Sequence, residues 1–256
     1  METPPDRRFP QETDLIGRRP LMLAGLAMIG FPAAGSRAAA RDGDSMTRIA
    51  LLGDSIFDNA AYVPAGDDVI THLNRQLRGK GEAVLLAQDG AVITDVLEQM
   101  SGLSPKTTHL AISVGGNDAL RRIDVLARPT RSVAEALAAV AEVREAFVER
   151  YGAMLDAVLK AGIPTMICTI CDVQLPDAAQ RRAGNLALTA LNDAILREAT
   201  ARRLPVVDLR VIFDEPGDYA NAIEPSGRGA AKIAEVITWI SASHDFEGPA
   251  SLYRLG

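Results

Sequence analysis

From Arg48 onward, short apolar runs alternate with longer stretches whose apolar residues recur at helical spacing. That alternation restricts the chain to successive strand-helix-strand units. Runs as short and uniformly apolar as Ile49–Leu52 are strands covered on both faces, so the sheet is parallel and carries helices on each side. Five strands are expected, at Ile49–Leu52, Ala83–Ala87, His109–Val114, Pro164–Ile170 and Pro205–Asp208. Helices are expected over Asp67–Arg78, Val92–Met100, Val133–Leu159, Arg181–Arg202 and Gly227–Ser241. The fold class is therefore α/β, a three-layer α/β/α sandwich on a five-stranded parallel sheet. In Val133–Leu159, residues Leu137, Val140, Val143, Phe147, Met154 and Val158 share one helical face and are expected to pack on the core. Asp245–Gly256 reads as a loose tail.

Composition narrows the function. The 256 residues are 48% hydrophobic and 23% charged, enough for one sizeable core, with no internal repeat and no shift marking a second domain within 47–242. A net charge of −6 offers no field for phosphates, and 4% aromatic residues leave little for base stacking, so nucleic acid is not an expected partner. Cys168 and Cys171 form a CxxC, a spacing open to redox or metal chemistry. Both lie in the apolar run Ile163–Cys171, however, where cysteine acts as a small hydrophobe, and core packing is the preferred reading.

Residues 1–45 differ from the rest. A polar start, Arg18-Arg19, the apolar stretch LMLAGLAMIGF and an alanine-rich end resemble a twin-arginine export signal, with Ala38–Ala40 as a small-residue cleavage site. The uncharged stretch from Pro20 to Ser36 is short and broken by Gly and Pro, so no stable membrane span is expected. Export to the periplasm or exterior is one reading; translation from Met46 and a cytoplasmic location is the other. On either, the fold begins near Thr47.

Open parallel sheets bind ligands beyond the carboxyl ends of their strands. That rule selects Gly53-Asp54-Ser55, Asp89-Gly90, Gly115-Gly116-Asn117-Asp118, Cys171-Asp172 and the loop 214–226. A dinucleotide or phosphate domain fits the sheet but not the first loop: GDSIFDN lacks GxGxxG or GxxxxGK and puts Asp54 where an anion would approach.

The order GDS after the first strand, a glycine after the second, GGND after the third and I-x-P-x-x-x-G before the last helix resembles the SGNH or GDSL hydrolases, over nearly all of 47–242. The resemblance implies a flavodoxin-like fold and a cofactor-free hydrolysis of small-molecule acyl or acetyl esters. It implies Ser55 as nucleophile, and an oxyanion hole from the backbone amides of Ser55 and Gly90 with the Asn117 side chain.

The family's last block is Asp-x-x-His before a proline, whereas this chain has Asn221-Ala222-Ile223-Glu224-Pro225. His72, His109 and His244 read as surface or packing residues. Two interpretations of Glu224 stand. It takes the serine proton itself, tuned by Asp218 or Asn221; this requires raising a carboxyl from about 4.3 toward ~6–7 by burial or by a neighbour such as Asp172 or Asp218. Alternatively, catalysis is weak or lost and the fold binds an acylated or carbohydrate ligand. Substrate identity and oligomeric state are not encoded in any recognisable motif.

Overall fold

A computed structural model describes residues 46–253. The export-signal reading of 1–45 lies outside the described residues. Six strands form one parallel sheet, β1 (Thr47–Gly53), β2 (Gly81–Leu85), β3 (His109–Ser113), β4 (Thr165–Cys168), β5 (Val206–Val207) and β6 (Leu252–Tyr253), in the order β2-β1-β3-β4-β5-β6.

The α/β sandwich is as expected, but five strands is corrected to six. Val206 N–H donates to Ser251 and Asp208 N–H to the Tyr253 carbonyl, at 2.8 and 3.1 Å, so Leu252–Tyr253 pairs with β5. The supposed tail is thus tied down as far as Tyr253. Two residues are too few to show a period of two, which is why the strand leaves no sequence signal. Its docking is helped by ring contacts: Tyr253 meets the indole of Trp239 edge-on at 4.9 Å, and Phe246 meets the imidazoles of His109 and His244 at 5.3 and 4.9 Å.

Strand alternation sends side chains to two cores. Ile49 and Leu51 of β1, with Ala111, Met166, Cys168, Val207 and Leu209 of the short helix α6 (Leu209–Ile212), pack beneath α1 (Val69–Gln76) and α7 (Gly227–Ser243). Ala50 and Leu52, with Leu110, Ile112, Ile167 and Val206, pack beneath α2 (Val96–Gln99), α4 (Val133–Leu159) and α5 (Ala178–Ala201). Both cysteine thiols are free and buried in the first core, matching the packing role read from their apolar run. Burial pushes both thiols up, that of Cys171 to about 12.

Caps set the helix starts. Asp68, Ser132, Asp177 and Ser226 each accept a hydrogen bond from a first-turn N–H of α1, α4, α5 and α7. Asp177 starts α5 three residues before the expected Arg181. The helix expected over Val92–Met100 is instead a 3-10 turn at Ile93–Asp95, the single turn α2, and another 3-10 turn at Met100–Gly102.

The expected core face of α4 is half right. Phe147, Met154 and Val158 are buried, but Leu137 is 61% exposed and Val140 and Val143 are only partly covered. The first half of the helix runs past the edge of the core. No described helix is long and apolar enough to cross a membrane.

Candidate active site

Each candidate residue follows the carboxyl end of a strand or precedes the helix returning from that edge. β1 ends at Gly53, whose φ of +123° disfavours any other residue, and a Cβ there would lie 1.7 Å from the carbonyl oxygen of Ser113. The chain turns so sharply that Asp54 N–H donates to that same carbonyl at 2.9 Å, and Ser55 follows. Asp54 Oδ1 accepts from Ile56 N–H, closing the turn.

Asn117 sits in the first turn of α3 (Gly116–Leu120), directly after β3. Its Nδ2 donates to the Ala91 carbonyl at 3.0 Å and so spans to the turn containing Gly90. That turn is held by Asp58, whose carboxylate accepts from Asp89 N–H, and by Tyr62, whose hydroxyl donates to Asp89 at 2.6 Å. The N–H groups of Ser55 and Gly90 have no hydrogen-bond acceptor among the described residues, and the Asn117 amide has only Ala91.

Glu224 arrives on a stitched loop. Asn221 Oδ1 accepts from the N–H groups of both Ile223 and Glu224, Ala220 N–H donates to the Glu224 carbonyl, and Gln174 N–H donates to Ala222. Asn59 joins this loop to the serine side: its amide donates to Pro225 at 3.1 Å while its oxygen accepts from Val69 N–H, the first residue of α1. The outcome is a long contact of 3.4 Å from Ser55 Oγ to Glu224 Oε1.

Ser55, Asn117 and Glu224 thus line one cavity of about 730 Å³; Gly90 is not among its lining residues. None of the three histidines lines it either. His72 faces Asp67 from α1, His109 opens β3, and His244 Nδ1 lies 2.6 Å from the Tyr253 hydroxyl.

Two of the neighbours expected to tune Glu224, Asp218 and Asn221, are occupied elsewhere. Asp218 is buried and ion-paired to Lys232 at 2.8 Å and Arg228 at 3.1 Å, and Asn221 caps its own turn. The perturbed carboxyl beside the serine is Asp54. Burial, and then the negative charges of Asp118 and Glu224, push it up from 3.8 to about 7. Asp118 is also raised by burial, partly relieved by Arg150 at 3.7 Å. The burial of Asp54 among carboxylates depends on packing and leaves no local signal in the sequence.

The sequence model of the GDSL-like lipase/acylhydrolase family matches residues 51–232. The chain belongs to that family. No curated protein sequence matches it. Among solved structures, the GDSL chain resembles an extracellular lipase from Streptomyces rimosus at 18% identity, covering 77% of this chain and 100% of the other, with a TM-score of 0.55. It resembles a phospholipase A1 from Streptomyces albidoflavus at 20% identity, 73% and 95% coverage and a TM-score of 0.53. An acetyl xylan esterase aligns at 16% identity, 77% and 100% coverage and a TM-score of 0.53. These likenesses establish a shared fold.

Among the described residues, no group of three or more His, Cys, Asp or Glu side chains is placed to hold a metal ion.

Proposed function

We propose that the protein is a serine-dependent ester hydrolase in which Glu224 serves as the proton acceptor. The observation that carries this reading is the contact of Ser55 Oγ with Glu224 Oε1 at the wall of an open cavity. Ser55 attacks the ester carbonyl while its proton passes to Glu224. The carbonyl oxygen becomes an oxyanion that accepts from the unpaired N–H groups of Ser55 and Gly90 and from the second N–H of Asn117. Collapse of the tetrahedral intermediate expels the alcohol, which takes the proton from Glu224. Water then adds to the acyl-serine as Glu224 takes its proton, and collapse releases the carboxylic acid while Ser55 Oγ recovers that proton from Glu224.

A fluorescent fluorophosphonate tests this on the full chain. Wild type is expected to label, and both Ser55→Ala and Glu224→Gln to lose labelling. Correctly folded wild type that stays unlabelled would overturn it and favour the second reading, a ligand-binding member of the family, which the replacement of Asp-x-x-His by Asn221-Ala222-Ile223-Glu224 motivates.

A further inference from the structure

The cavity beside Ser55 is much larger than an acetyl group requires. At about 730 Å³ it lies in the upper half of the ~300–1,000 Å³ range that encloses drug-sized ligands. Its walls beyond the serine are mostly aliphatic, with Arg122, Asp124, Thr169 and Gln180 as the polar members. Val140 and Val143, expected on the core, instead face it from the overhanging half of α4. Opposite them, Ala179, Ala183 and Ala187 recur every four residues along one face of α5, and their small side chains leave the space between the helices open. Among the described residues no aromatic side chain lines the cavity, so they offer no stacking platform of the kind on which a sugar ring commonly rests.

We propose that this cavity is the acyl side of the substrate site and takes an extended aliphatic chain well beyond acetyl. The inference rests on the esterase reading for which end of the ligand meets Ser55. An acetyl ester would leave the Val143 and Ala187 walls untouched, whereas each methylene laid along them leaves water for an apolar surface. Selectivity for chain length then resides in α4 and α5, on walls separate from the serine and its proton acceptor.

The test separates binding from chemistry. Methyl esters from acetate to octanoate, each below its solubility limit, are titrated calorimetrically into the full-length Ser55→Ala variant. Affinity is expected to rise about four-fold per added methylene until the cavity is filled. Ala187→Phe, added to the same background, is expected to flatten that rise and weaken octanoate by at least about ten-fold. Val143→Phe gives the same reading from the opposite wall should Ala187→Phe fold poorly. Equal affinity along the series, or an unchanged slope in a filled-cavity variant that folds, overturns the acyl-chain assignment. Hydrolysis by wild type is scored separately: turnover without chain-length dependence sinks this inference alone, and a binding slope without turnover sinks the esterase reading alone.

Discussion

The side-chain amide of Gln99 pairs with both backbone groups of Gly53, accepting from its N–H at 2.7 Å and donating to its carbonyl at 2.8 Å. A residue 46 positions away thereby finishes β1 where the strand turns toward Ser55. Gln99→Leu keeps the approximate volume but strands the buried Gly53 N–H, while the carbonyl retains the N–H of Gln88. A loss of about 1–3 kcal/mol in urea unfolding is expected. An unchanged midpoint would show that the serine turn does not depend on this clamp.

Asn59 offers a way to move Glu224 without touching it. Asn59→Asp keeps an acceptor for Val69 N–H but loses the donor to Pro225, so α1 stays capped while the Glu224 loop is freed. Fluorophosphonate labelling of Ser55 is expected to slow by about ten-fold or more, the order of one lost hydrogen bond, and the new carboxylate, buried where Asn59 has no exposure, also costs stability. Equal labelling rates in wild type and Asn59→Asp would count against the coupling.

The Asp54 carboxyl gives stability a pH dependence of defined sign. Folded, it holds its proton to about 7, whereas its ordinary value is 3.8, so the folded state binds more protons between those values. Stability is therefore drawn down as pH rises from about 4 to about 7 and levels off above. Asp54→Asn preserves the oxygen that accepts from Ile56 and removes this penalty. The variant is expected to gain on wild type across that window, by at most about 4 kcal/mol at pH 8. Urea midpoints of the two proteins at pH 4.5 and 8 measure it.

The two cysteines should be silent in the native state. Both are buried, with thiols pushed far above neutral pH. An aromatic disulfide reagent at pH 8 is expected to react only as fast as the protein unfolds, and to release two equivalents in denaturant. A rapid burst from native protein would place a thiol at the surface.

Much of this architecture is legible in the sequence because burial on both faces forces uniformly apolar strands. β1, β3 and β4 were visible for that reason. β2 is an edge strand whose exposure alternates, and it sits at Gly81–Leu85, earlier than the apolar run Ala83–Ala87 suggests. Motif order brings Ser55 and Glu224 into view as partners, and in the folded chain Ser55 Oγ lies 3.4 Å from Glu224 Oε1. The supports of the site do not show. Gln99 on Gly53, Asn192 on both backbone groups of Ile170, and Asn185 on those of Val173 are amide side chains replacing backbone partners across 12 to 46 residues. Such pairings obey no local period, and only the folded chain reveals them. The first half of α4 has the pattern of a core helix, yet borders a cavity, because periodicity records which face is apolar and not what that face meets.

The edge-on contact between Trp239 and Tyr253 has a spectroscopic consequence. The chain has a single tryptophan, so its intrinsic emission comes from one place, late in α7 against the last strand of the sheet. α7 begins at Gly227, just after the Glu224 loop, and carries the fluorophore along the helix to Trp239, against the edge strand β6. A shift in emission maximum thus registers β6 leaving its place, and ligand entering beside Ser55 needs a second fluorophore to be seen.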